Sequence, residues 1–258
     1  MHILVFDSGL GGLTVYDEIR KVRPDARFTY LADDAVFPYG RLEEGDLVAR
    51  VLEVVGAEIR RSQPDIVVIA CHTASTLVLP HLRAAYGIPF VGTVPAVKPA
   101  GLATQTKLFS VLATPGTVKR DYTRALIDEF AEGCSVTLVG CPRLASVAEA
   151  KLRGAAVDSA VIAAEIAPAF VEEGGRRTDT VVLACTHYPL LLEELKALAP
   201  WPVIWIDPAP AIAKRVTQLV GKRPEGASES GPGRAIFTSR RAADRPLAAA
   251  LKARDLEI

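Results

Sequence analysis

The sequence carries no excess charge: 30 Lys and Arg are balanced by 30 Asp and Glu in 258 residues. Without a bulk field of either sign, attraction to nucleic acid or to a membrane surface is not expected. Cysteine is scarce, four in all, and no two form a C-x-x-C pair. That argues against a disulfide framework and for a cytoplasmic chain with reduced thiols. No N-terminal stretch has the order of a signal peptide, and the apolar runs fall short of the roughly twenty residues that a membrane span requires. Two phosphate-binding signatures are missing as well. A dinucleotide fingerprint starting at Gly9 would need glycine where Thr14 stands, and no G-K-[ST] follows. What remains as a partner is a small molecule or another protein.

What the sequence does have is one phrase used twice. Residues 65–73 read DIVVIACHT and residues 179–187 read DTVVLACTH. In both, an aspartate leads through a short β-branched apolar run to a cysteine, the pattern of a parallel strand buried on both faces. Cys71 and Cys185 therefore fall at strand ends, where ligands bind in open α/β sheets. A cysteine closing an apolar strand is more often inert filler than nucleophile, so its neighbours must carry the case.

The rest of the chain supports a duplication. Strands are expected at residues 2–6, 28–32, 66–70 and 88–93, separated by helical patterns, and again at 107–113, 136–140, 180–184 and 202–206. Matching strand ends pairs Asp7 with Thr114, Asp33 with Cys141, Cys71 with Cys185 and Pro95 with Pro208, at offsets of 107, 108, 114 and 113 residues. The expected fold is α/β, two pseudo-symmetric wound parallel-sheet domains with the active site in the interdomain cleft. Residues 96–106 read as a connection without strong periodicity, and 221–233 as a Gly-, Ser- and Pro-rich loop. A short strand at 235–238 and a helix at 246–253 are expected to return to the first half. The first domain is then 1–96 plus 213–258 and the second 97–212.

Two halves facing each other across a cleft bring Cys71 and Cys185 to opposite sides of one substrate. Inversion of a stereocentre needs that arrangement: one group takes a proton from one face of a carbon and the other returns a proton to the opposite face. A free thiol, with a pKa of about 8.5, can serve as acid or base. Asp7, an acid at the end of the first strand, and His187, two positions past Cys185, are the candidates for orienting protons. The glycines after Asp7, with Ser8, can expose backbone N–H groups at a helix start to a carboxylate. Pro38-Tyr39-Gly40 reads as a turn walling the pocket. Cys134 and Cys141 read as structural, and His2 and His81 as surface or edge residues. A zinc hydrolase using Cys71, His72, Cys185 and His187 is a rival, but the set lacks the usual ligand spacings.

Asp7-Ser8-Gly9-Leu10-Gly11-Gly12-Leu13-Thr14, Pro38-Tyr39-Gly40, Ala70-Cys71-x-Thr73-Ala74, Gly140-Cys141-Pro142 and Cys185-Thr186-His187-Tyr188-Pro189 together resemble the motif set of bacterial glutamate racemases. The resemblance implies interconversion of L- and D-glutamate with no cofactor and no metal, supplying D-glutamate for peptidoglycan and so for the cell wall and cell shape. It implies Cys71 and Cys185 as the acid/base pair, assisted by Asp7, Glu149 and His187. Ser8, Pro38, Tyr39, Gly40, His72, Thr73, Thr117 and Thr186 match its substrate-binding positions, and a homodimer is compatible with it. One position departs: the family has Asn where His72 stands. A racemase of the same superfamily with altered specificity, or a non-catalytic anion-binding regulatory protein, are the alternatives that this change keeps open.

Overall fold

A computed structural model describes all of residues 1–258. Its strands are β1 (His2–Asp7), β2 (Arg27–Ala32), β3 (Ile66–Ile69), β4 (Phe90–Gly92), β5 (Leu108–Ala113), β6 (Ser135–Gly140), β7 (Glu172–Glu173), β8 (Arg176–Arg177), β9 (Thr180–Ala184), β10 (Ile204–Ile206), β11 (Gly233–Phe237) and β12 (Leu256–Glu257). They form a six-stranded parallel sheet in the order β12-β11-β2-β1-β3-β4, a four-stranded parallel sheet in the order β10-β9-β5-β6, and the small β7-β8 hairpin. The run β2-β1-β3-β4 in one sheet is repeated as β6-β5-β9-β10 in the other. Each strand thus sits where its sequence-matched partner sits, and the duplication is a property of the fold.

Both faces of the first sheet are covered, which is why its central strands are apolar throughout. Alternation along β1 sends Ile3 and Val5 to a core with Tyr16, Ile19 and Val216, and Leu4 and Phe6 to a second core with Val51, Val55 and Val78. The second sheet is divided in the same way, with Leu112 and Leu183 on one side and Val111 and Val182 on the other. Each such side chain, fully buried, contributes roughly 1.5–3 kcal/mol. The tail does return to the first sheet: β11 pairs with β2, and β12 with β11. No helix is long and apolar enough to cross a membrane.

Several expectations need correction. Residues 96–106 are not an irregular connection; a helix occupies Val97–Ala103. Its Pro99 hid it, yet proline is tolerated in a first turn because the N–H it lacks has no partner there. The strands expected at 88–93 and 202–206 shrink to Phe90–Gly92 and Ile204–Ile206. His2 is not a surface residue: it is buried, its ring between the Ser62 carbonyl at 3.1 Å and the Thr29 hydroxyl at 2.9 Å.

Candidate active site

The strand ends of the two sheets face each other. Asp7 ends β1, Cys71 follows β3, and Cys185 follows β9. Contacts between the halves are close: the Thr186 hydroxyl donates to Asp7 Oδ1 at 3.1 Å, the Thr73 hydroxyl lies 2.9 Å from that of Thr114 and 3.2 Å from that of Thr117, and the Phe37 ring centroid is 5.2 Å from that of His187. Cys71 is 5% exposed and Cys185 6%, so both thiols are closed off from bulk solvent.

Each sulfur has a polar companion. Cys71 Sγ is 3.7 Å from the Ser8 hydroxyl, and Cys185 Sγ is 3.8 Å from His187 Nδ1. Burial pushes the Cys71 thiol up to about 12, with a further contribution from the Asp7 carboxylate and a smaller one from Cys185. Cys71 is therefore held as the protonated thiol. Burial alone would pull His187 down, but its contacts with Cys185 and Glu149 outweigh it and hold the imidazole well above its ordinary range. Asp7 is also raised, by burial, against the opposing pull of His187, the Gly9 N–H and the Thr186 hydroxyl.

The glycine turn meets side chains of this chain. The Leu10 N–H donates to Glu149 Oε1 at 2.5 Å, the Gly9 N–H donates to Asp7 Oδ2 at 3.0 Å, and the Gly11 N–H points at His187 Nε2 at 3.1 Å. Two of these N–H groups are taken up by carboxylates of this chain, Asp7 from the same half and Glu149 from the other. Glu149 Oε1 also lies 2.9 Å from His187 Nε2. One ring nitrogen cannot accept from Gly11 and donate to Glu149 at once. With the imidazole held protonated, Nε2 donates to Glu149 and Nδ1 faces the Cys185 sulfur. The Tyr30 hydroxyl buttresses the turn from below, donating to the Gly9 carbonyl at 2.6 Å.

The remaining residues singled out in the sequence fall around these groups unequally. Ser8, Thr73, Thr117 and Thr186 are buried beside the thiols or across from them. Gly40 lies against Thr114, and a Cβ added to it would come within 3.1 Å of the Thr114 side chain. Pro38 is half-buried in the same turn, and its carbonyl accepts from the Arg41 N–H. The Tyr39 phenol is turned away: it donates to Asp33 Oδ2 at 2.5 Å. His72 is buried, neither ring nitrogen has a partner, and burial pulls it down to about 3. Glu149, whose spacing alone also fits a solvated helix acid, has a side chain only 12% exposed and lies against His187. Cys141 is buried, with its sulfur 3.6 Å from the Glu165 carbonyl and burial pushing it up to about 12.

Two residues of the site escaped the sequence reading. Thr114 closes the hydroxyl triangle with Thr73 and Thr117, lying 3.1 Å from the latter. Asp33 holds Tyr39. Both stand at strand ends and were visible as such, the same signal that singled out Asp7.

Known proteins share this sequence pattern and this fold. The sequence model of the Asp/Glu/Hydantoin racemase family matches residues 17–216. The glutamate racemase of Brucella ovis is 58% identical over 241 residues, which are 93% of this chain and 87% of that one. Among solved structures, Escherichia coli glutamate racemase in complex with L-glutamate and an activator, UDP-MurNAc-Ala, superposes with a TM-score of 0.89 at 39% identity, covering 99% of this chain and 96% of that one. Glutamate racemase from Aquifex pyrophilus gives 0.75 at 30% identity, covering 100% and 97%.

Proposed function

The chain belongs to the Asp/Glu/Hydantoin racemase family, and from that premise we propose that it is a glutamate racemase in which Cys71 and Cys185 exchange protons with opposite faces of the substrate Cα, without a cofactor. The observation that carries the reading is the pair of thiols at equivalent strand ends of two matching, facing sheets, each with its own polar companion.

In one direction Cys185, as thiolate, takes the Cα proton of the enantiomer that presents it; Cys71, held as the thiol, gives its proton to the other face. The products are the opposite enantiomer, a Cys185 thiol and a Cys71 thiolate, which is the form that runs the reaction backwards. The His187 imidazolium faces the Cys185 sulfur at 3.8 Å, and Glu149 keeps the ring oriented. Asp7, whose Oδ1 accepts from the Thr186 hydroxyl of the other half, is assigned to the substrate ammonium. The hydroxyls of Ser8, Thr73, Thr117 and Thr186, together with the 38–40 turn and His72, are assigned to binding. Exclusion of water by the closed cleft strengthens each of these interactions. The product role is supply of D-glutamate for peptidoglycan in the cytoplasm.

The test is solvent exchange. Incubation with L- or D-glutamate in deuterated water is expected to give the opposite enantiomer carrying deuterium at Cα. Absence of α-deuterium in both enantiomers would refute the racemase reading, and exchange with another amino acid in preference to glutamate would reassign the substrate.

A further inference from the structure

Asp33 directly follows β2, with a side chain fully shielded from solvent, yet it is not among the residues that face the thiols. All of its accepting capacity is used. Oδ1 accepts from Arg50 Nη2 at 2.7 Å and from the Thr238 hydroxyl at 2.5 Å; Oδ2 accepts from Arg50 Nε at 2.9 Å and from the Tyr39 hydroxyl at 2.5 Å. A bidentate arginine on a buried carboxylate fixes its orientation as well as its charge. Because the Tyr39 proton is given to Asp33, the phenol is not free to donate to an anionic substrate. Tyr39 then serves the site through where it holds the 37–41 turn: Phe37 against the His187 ring and Gly40 against Thr114.

Thr238 is the distant member, 205 residues from Asp33 in sequence. It directly follows β11, its own N–H donates to the Ala32 carbonyl at 3.0 Å, and the adjacent Ser239 hydroxyl donates to Asp34 Oδ2 at 2.5 Å. The end of the C-terminal strand is thus stitched to the end of β2 at two successive acids. We infer that Asp33 is a positioning residue that couples the C-terminal strand end, through Thr238, to Tyr39 and the substrate-facing turn. The inference rests on the racemase reading for its kinetic consequence and on geometry alone for its structural one.

The experiment pairs two readouts on the full-length chain. Thr238→Val removes one half-buried hydroxyl and keeps the fold, whereas Asp33→Asn strips the charge from a saturated carboxylate and carries a risk of misfolding. For Thr238→Val, which loses the hydroxyl's bond to the Asp33 carboxylate and the weaker one from the Ala35 N–H, KM for both glutamate enantiomers is expected to rise about tenfold, with kcat within about twofold. Tyr39→Phe should do the same, and the double variant should fall short of the product of the two because they act through one carboxylate. Backbone amide exchange in Thr238→Val should accelerate for residues 37–42 and not across the chain. Unchanged KM with a lowered kcat, fully multiplicative single effects, or amide exchange that is either unaltered or uniformly faster would each overturn the coupling. Should the wild-type chain prove inactive on glutamate, the exchange pattern still decides the clamp, and only the substrate reading falls.

Discussion

Gly11 and His187, 176 residues apart, are in contact so close that no side chain fits between them: a Cβ on Gly11 would lie 2.3 Å from His187 Nδ1 and 2.6 Å from its backbone nitrogen. The glycine of the first half is the seat on which the histidine of the second half rests. Gly9 plays the same part for Glu149, whose Oε1 would be 2.2 Å from a Cβ there.

Gly11→Ala is therefore expected to displace the imidazole from Cys185 while leaving both sheets intact. A shift of about 1 Å in a proton-transfer group costs roughly a hundredfold, and a fall of that size in kcat/KM is expected with KM little changed. Gly45→Ala, where a Cβ meets nothing within 4 Å, is the control and should leave activity unaltered. Equal activity of the two variants would remove His187 from the chemistry.

Replacing either sulfur should stop turnover in both directions, because each cycle uses both. Cys71→Ala and Cys185→Ala are expected to abolish racemisation. Cys71→Ser and Cys185→Ser should slow it by about 10²–10⁴, since a hydroxyl is a far poorer proton donor and acceptor here. Polarimetry on each variant with each enantiomer is sufficient; near-wild-type turnover by any single alanine variant defeats the two-base assignment.

The strand pattern made the two sheets and the placement of both cysteines legible, because a parallel strand buried on both faces writes its apolar run into the sequence. Glu149 is different. Nothing about its own helix tells that it will reach a backbone N–H 139 residues away at Leu10; that contact exists only once the two halves face each other. For the same reason the sequence does not show that a carboxylate of the other half, Glu149, meets the glycine turn. The helix Ser159–Ile166, apolar on nearly every side, left no clear amphipathic stripe and went unread. His2 was misplaced because a polar residue at a strand start looks like an edge, whereas here both ring nitrogens are paired.

Glu149→Gln tests the electrostatics of the His187 arm. Cys185 and Glu149 together raise His187 against the cost of burial. Removing the carboxylate leaves burial less opposed, so the imidazolium should lose its proton at lower pH. If the protonated ring supports Cys185, the alkaline limb of kcat/KM moves toward lower pH by about 1–3 pH units, the range for loss of a neighbouring opposite charge. A profile that scales down without moving would mean that Glu149 only buttresses the turn.

His72 gives a prediction about stability rather than turnover. Its ring is 2% exposed, both nitrogens lack partners, and burial holds it at about 3, against about 6.5 in an unfolded chain. The folded value is the lowered one, so between these limits the unfolded chain binds more protons, and stability rises with pH. Stability contributed by the neutral ring is complete above about pH 6.5 and is lost progressively as pH falls toward 3. By pH 5 the loss amounts to about 2 kcal/mol, one and a half pH units at 1.36 kcal/mol each. His72→Asn carries no titrating group. Relative to the wild type, it should therefore gain about 2 kcal/mol between pH 7 and pH 5 in urea-unfolding free energy, whatever constant offset the smaller side chain introduces. Subtraction of the two curves cancels the carboxylates common to both, Asp7 and Asp33 included. A difference that stays flat with pH would show that the imidazole is not held neutral by its surroundings, and that the residue in the place of the family asparagine is solvated or paired when the protein is in water.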